Sequence, residues 1–257
     1  MPCSAISDIM SDTVLKGLVL RTADYKESSK MLTVLTDSMG KISISARGAA
    51  RLKSRIAAAC QPMAFSEMTV SESKERFYLK EANTLELFSG LTADLKNYAL
   101  GCYFLELLDA SCPETVEEPE ALSLGLNALW LLSEEKKDPR IVKSAFEMRL
   151  MTLLGYQPET EQCASCGKAD PVTPTLDLRG GALYCRDCAI KAMAQRPMAL
   201  DKPSLLAIRH IVSAQRNNVF SFRIGDCGLR RLSDTAENYV KEQLERSFRT
   251  LDYYKSL

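Results

Sequence analysis

Lys41-Ile-Ser-Ile-Ser-Ala46, running into Arg47-Gly-Ala-Ala-Arg51-Leu-Lys53-Ser-Arg55, is the stretch from which the fold is read. Ile42, Ile44 and Ala46 alternate with Ser43 and Ser45, the period-two pattern of a strand with one buried face. The residues after it change character. Lys41, Arg47, Arg51, Lys53 and Arg55 fall within fifteen residues, and no acid occurs from Ser38 to Ser66. The basic stretch reads as a loop leading into a short helix. Outward from this strand, Val14–Arg21, Lys30–Thr36, Pro62–Val70 and Phe77–Lys80, extended toward Phe88, carry the same β-rich character. Five short strands with turn signals between them predict a small barrel.

The chain then turns helical. Leu91, Leu95, Tyr98, Cys102 and Leu105 recur at helical spacing, Pro119 opens a second helix, and Asp138-Pro139 caps a third that stops at Gly155. Pro203–Gln215 and Leu229–Tyr254 read as two more, the last with Leu229, Leu232, Ala236, Tyr239, Leu244 and Phe248 as its apolar stripe.

Between these helices stand Cys163-Ala-Ser-Cys166 and, after an eighteen-residue spacer, Cys185-Arg-Asp-Cys188. Each pair offers two sulfurs to one ion, and the spacer lets the second pair complete a tetrahedron. Two disulfides would suit a secreted chain, and a redox pair would need only one motif in a thioredoxin-like setting. One structural zinc is the preferred reading. Four thiolates leave no open coordination position, so the metal would hold the segment rather than react.

At 46% apolar and 26% charged residues over 257 positions, the composition is that of an ordinary globular protein. The other cysteines, Cys3, Cys60, Cys102, Cys112 and Cys227, show no framework, which fits a reducing cytosol. Met1-Pro-Cys3-Ser has no basic signal-peptide region, and no apolar run approaches the ~18 residues of a membrane span. The expected location is cytoplasmic. Net charge is zero, yet residues 1–80 carry +4, residues 81–160 carry −8 and residues 161–257 carry +4. Such segregation gives two surfaces that attract an anion. No phosphate-binding glycine loop is present, and His210, the single histidine, reads as a packing residue. Nothing here reads as an enzyme.

The basic stretch has two readings, a solvated face or a DNA-binding loop at the position where small barrels bind single strands. Nearby aromatics are sparse (Tyr25, Phe65, Phe77, Tyr78), so phosphate contacts are expected to dominate over stacking. Arg209, Arg216, Arg223, Arg230 and Arg231 offer a second basic surface.

Gly17-Leu-Val-Leu-Arg21, the Gly40-Lys-Ile and Ala46-Arg-Gly turns, Lys53-Ser, Gln61-Pro62, Phe146-Glu-Met-Arg-Leu150, Gly155-Tyr-Gln-Pro158, the cysteine pairs and the closing Lys255-Ser-Leu resemble the bacterial recombination-mediator RecO family. The resemblance covers nearly the whole chain and is collective. It implies an α+β architecture: an N-terminal OB-fold over residues 1–82, a helical domain over 83–160 and 190–257, and a zinc-binding insert over 161–189. It also implies binding of single- and double-stranded DNA, annealing of complementary strands, and action with RecR to help RecA load. The partner of the coated strands would be the acidic C-terminal tail of single-stranded-DNA-binding protein. On the third helix Arg140, Lys143 and Arg149 beside Ile141, Val142 and Phe146 are candidate tail contacts, or simply an amphipathic packing helix. Two rivals to the mediator are a zinc-ribbon scaffold in transcription or ribosome assembly and a metal-dependent nuclease. The nuclease is disfavoured by the closed four-thiolate set.

Overall fold

The computed structural model describes residues 12–216 and 218–257. The N-terminal residues read above for a secretion signal lie outside them. The chain divides into two compact units, one formed by residues up to Ser89 with Phe104–Leu126, the other by Gly90–Tyr103 with Asn127–Leu257.

In the first unit β1 (Asp12–Tyr25), β2 (Ser29–Thr36), β3 (Lys41–Ala46), β4 (Phe65–Ser73) and β5 (Arg76–Glu86) close into a barrel of order β1-β2-β3-β5-β4. Every pairing is antiparallel except that of β3 with β5, where Ile44 faces Phe77 and Ser45 faces Tyr78. This is an OB-like barrel. The 14-residue β1 serves two neighbours, β4 along Asp12–Leu18 and β2 along Gly17–Tyr25. Gly17 sits at the changeover because a Cβ there would lie 2.4 Å from Val34 Cγ1. A register shift between Val19 and Arg21 then bends the strand around the barrel.

Alternation sends Leu15, Val19, Leu32, Val34, Ile42, Ile44, Met68, Val70 and Leu79 into the barrel core. Leu18, also buried, points the other way, toward Gly125; a Cβ on Gly125 would lie 2.9 Å from Leu108 and 3.8 Å from Leu18. The strand expected at Lys41–Ala46 has those bounds, and the other four fall within a few residues of their expected positions.

Helices α1 (Leu95–Ser111) and α2 (Pro119–Ser133) contribute residues to both units. The second unit continues with α3 (Pro139–Leu153), a three-stranded sheet of β6 (Pro174–Asp177), β7 (Ala182–Cys185) and β8 (Pro197–Ala199), and α4 (Arg186–Lys191) after β7. Then come α5 (Lys202–Ser213), α6 (Asp226–Gln243) and α7 (Arg249–Ser256). Asp138 accepts from the Arg140 N–H to cap α3, and Asp201 and Ser204 form a reciprocal capping box at α5.

The single helix expected over Leu229–Tyr254 is two. Glu245 takes a left-handed φ of 50°, and Phe248 is extended, with φ −125° and ψ 119°. The break brings Phe248 edge-on to Tyr103, with ring centroids 5.6 Å apart, and buries it completely. Full burial of a Phe is worth about 1.5 to 3 kcal/mol, more than a straight continuation at exposed Glu245, Arg246 and Ser247 would return.

Where α3 packs on α6, charges lie inside. The Lys143 ammonium, 3% exposed, pairs with Glu147 at 2.9 Å and Glu237 at 3.3 Å. Tyr103 donates to Glu147, while Lys241 and Lys255 reach Glu237 at 2.8 and 2.7 Å. Burial raises the Glu147 carboxyl above its ordinary range despite Lys143. Burial also raises Glu237, but Lys143, followed by Lys241 and Lys255, outweighs it and holds that group at about 2. A carboxyl made more acidic by folding stabilises above its ordinary value of 4.5 and loses that contribution as pH falls toward 2. Urea midpoints measured from pH 6 to pH 2.5 should therefore fall less steeply for Glu237→Gln than for the parent; parallel curves would refute the assignment.

Candidate functional site

β3 and β5 run parallel for only two residue pairs, but that contact delivers three loops to one end of the barrel. Arg47 follows β3 directly, and Tyr78 lies beside Ser45 on β5. The β4–β5 turn is a two-residue hairpin, Lys74-Glu75, with φ of 51° and 59°. Both central residues are left-handed, as a type I′ turn requires, without the glycine that usually relieves it. The turn sets Arg76 and Phe77 at the barrel rim. The β1–β2 turn brings Tyr25 and Lys26, with Lys26 at φ 56°.

Together these loops enclose a groove of about 870 Å³ lined by Tyr25, Lys26, Ser43, Ser45, Arg47, Arg51, Arg76, Phe77 and Tyr78, with Glu27 and Glu75 also at its wall. A second groove of about 610 Å³ shares Arg47 and Arg51 and adds Lys53, Arg55 and Lys80 against one acid, Glu81. The Arg47 guanidinium lies 5.5 Å from the centre of the Tyr78 ring, and the Lys26 ammonium 5.2 Å from that of Tyr25. Arg47, Arg51, Lys53 and Arg55 are exposed, and among the described residues no carboxylate is ion-paired with them. An unneutralised row of cations beside aromatic faces is the composition of a single-strand groove.

The structure separates the fifth cation from the row. Lys41, with a side chain 11% exposed, donates to the Asp109 carbonyl and pairs with the Asp109 carboxylate at 3.5 Å, where Arg21 joins from 3.2 Å. It binds the barrel to α1 within the first unit rather than facing solvent. Sequence patterning understated the aromatic component: Tyr25, Phe77 and Tyr78 line one groove. It also omitted Lys26, Arg76 and Lys80, which lie far apart in sequence and share the site only through strand pairing.

The other basic candidates are largely engaged within the second unit. Arg140 pairs with Asp138 at 2.7 Å and Asp226 at 3.0 Å, Lys143 is enclosed with Glu147 and Glu237, and Arg149 donates to the Val212 carbonyl at 2.8 Å. They do not form an open rim. Arg209 donates to the carbonyls of Thr160, Glu161 and Ala169, and Arg231 to that of Ala199, while Arg223 and Arg230 are exposed. His210, half-buried, meets the Asn218 carbonyl at 2.9 Å and the Phe222 ring at 5.7 Å, a packing role.

The four cysteine sulfurs Cys163, Cys166, Cys185 and Cys188 lie within 4.8 Å of one another and can hold one metal ion. Gly167, with φ of 72°, makes the first knuckle by donating its N–H to the Cys163 carbonyl at 2.9 Å. Cys185 ends β7 and Cys188 lies in the first turn of α4. The Cys166 and Cys185 sulfurs are 3.7 Å apart; metal–sulfur bonds of about 2.3 Å in a tetrahedron require about 3.8 Å. Burial raises the Cys163 thiol, but the N–H groups of Cys185, Cys166 and Ser165 bring it down to about 6. Burial and the neighbouring sulfurs push Cys185 up to about 12. Four sulfurs so close cannot all ionise without a cation among them.

Residues 92–252 match the family description "Recombination protein O C terminal", and residues 10–88 match "Recombination protein O N terminal". The chain belongs to the RecO family. Relatives named DNA repair protein RecO support this across the full length of the alignment. The one from Acetivibrio thermocellus is 26% identical over 241 residues, covering 94% of this chain and 95% of the relative. That from Desulforudis audaxviator is 31% identical over 243 residues, covering 94% and 96%. The RecO relative of Bacillus pumilus is 30% identical over 201 residues, 78% of each chain. Among the described residues no helix is long and apolar enough to cross a membrane.

Lys41 supplies a test of the division between structural and exposed cations. Lys41→Ala leaves Asp109 only Arg21 and should cost about 1 to 2 kcal/mol of stability. Oligonucleotide binding by the folded variant should keep its dependence on salt. A reduced salt slope at unchanged stability would return Lys41 to the exposed row.

Proposed function

We propose that this chain is a DNA-binding recombination mediator acting in DNA repair. It binds single- and double-stranded DNA through the Arg47, Arg51, Lys53 and Arg55 row and the grooves beside it. The observation that carries the reading is that row of exposed, unpaired cations flanking an aromatic-lined groove on an OB-like barrel. In this reading the protein anneals complementary strands and, with RecR, helps RecA load onto strands coated by single-stranded-DNA-binding protein. It performs no chemistry of its own and works in the bacterial cytoplasm at the nucleoid. The acidic tail of single-stranded-DNA-binding protein is a further partner in this reading, with the open Arg140 side chain a better candidate contact than the enclosed Lys143.

Phosphate contact without base readout suits annealing, because the base edges stay free to find complements. Each phosphate neutralised on a single strand contributes about −0.7 to the slope of log K against log salt. Three to four engaged cations give a slope of roughly −2 to −3. Changing Arg47, Arg51 and Lys53 together to Ala should flatten it by about two units across all sequences. A folded triple variant with an unchanged slope moves the DNA to another face. Failure of the parent to bind naked oligonucleotides would favour the scaffold reading.

The metal in this proposal is one structural zinc held by Cys163, Cys166, Cys185 and Cys188. Thiolate donors at tetrahedral separation select zinc over the hard cations. Zinc supplies a fixed crosslink between the two knuckles and no reaction. Metal analysis of the purified chain should return one zinc, and Cys166→Ser should lower the melting temperature while leaving the salt slope in place. Well under one zinc per chain would sink the assignment.

A further inference from the structure

Leu52 is 104% exposed, the extreme among the large apolar side chains of the described residues. A single exposed leucine is ordinary on a protein surface. The setting of this one is not. The Ser54 N–H donates to the Arg51 carbonyl at 3.0 Å, so Leu52 and Lys53 occupy the two corners of a β-turn. Corners favour Gly, Pro, Asn, Asp and Ser, which lose nothing in water; a leucine there gains no burial from folding.

The turn is held on both sides. Ala49 is buried in the barrel core, and the Ala50 N–H donates to the Ser28 carbonyl at 3.2 Å. Ile56 packs against the same core, and the Ala57 N–H donates to the Ser54 carbonyl at 3.4 Å. The apolar tip therefore stands on a fixed base. Its chain neighbour Arg51 lines both grooves, and Lys53 lines the second. Leu52 itself lines neither groove and projects into solvent between these two cations.

Resting on the DNA-binding reading above, we propose that Leu52 is a wedge that enters between adjacent bases of a strand held by the surrounding cations. Apolar side chains perform this task wherever proteins open a base step, because a branched hydrocarbon replaces a stacked face without needing hydrogen bonds. Arg51 and Lys53 hold the phosphates on either side of the opened step. Tyr25, Phe77 and Tyr78 lie in the first groove, where an unstacked base finds an aromatic face. The ligand is single-stranded DNA of any sequence, and the step opens by position rather than by identity.

The experiment uses the full-length protein and oligonucleotides carrying 2-aminopurine, whose fluorescence rises when it leaves the stack. The parent should raise the signal about twofold or more on binding. Leu52→Ala should abolish the rise while weakening affinity by about tenfold or less and keeping the salt slope of the parent. Leu52→Phe should restore the rise. The Arg47, Arg51 and Lys53 triple variant should instead lose slope. If Leu52→Ala raises the fluorescence as the parent does, or if the parent binds with no rise, the wedge is overturned and the phosphate-binding groove stands. A parent that shows no salt-dependent binding overturns the DNA-binding reading, and the wedge with it.

Discussion

The parallel contact of β3 with β5 is the constraint on which the first unit depends. Without it the five strands form an open sheet with two unpaired edges, and Ile44, Leu79 and Met68 have no common interior. With it, Ser45 faces Tyr78, and Arg47 lands on the Tyr78 ring. Barrel closure and assembly of the grooves are thus one event. The pairing joins residues more than thirty positions apart, so loop-closure entropy is lost before the contact returns anything. The return comes from the dense apolar filling of the interior rather than from the few hydrogen bonds of the seam.

Much of this was legible beforehand, and the reasons differ by element. Lys41–Ala46 alternates so cleanly that its bounds follow from period two alone. The cysteine spacing is a local signature of a four-ligand site, and the sulfurs converge as that spacing requires. The division of Leu229–Tyr254 was not legible. Leu244 and Phe248 continue the apolar stripe in a straight helix, and only the distant Tyr103 ring makes it worthwhile to leave that helix. Lys41 and Lys143 look like any other exposed lysines in sequence. Asp109, the partner of Lys41, lies 68 residues away, and although Glu147 stands one helical turn from Lys143, the Glu237 that helps enclose it lies 94 residues away. Phe77 and Tyr78 were visible as aromatics, but their meeting with Tyr25 follows only from the strand order.

The two units use the same residue types in opposite ways. In the second unit Lys143, Lys241 and Lys255 surround two carboxylates, and desolvation is offset by direct pairing. At the barrel rim, Arg47, Arg51, Lys53 and Arg55 stand in water with their field uncancelled. Charge of the first kind fixes packing, and charge of the second kind is available to a polyanion. A zero net charge over the chain hides both.

The first unit is discontinuous in sequence, its strand-bearing segment ending at Ser89 and its cover arriving with Phe104–Leu126. During synthesis the strands leave the ribosome first, with Leu18 facing outward and nothing yet beside it. That apolar surface stays open until Leu108 and the close approach at Gly125 have been made. A fragment cut at Ser89 would keep every strand and lose this cover, so it would be a poorer stand-in for the barrel than its complete strand set suggests. The second unit, by contrast, takes most of its residues from one uninterrupted run after Asn127, and its assembly can wait until translation ends.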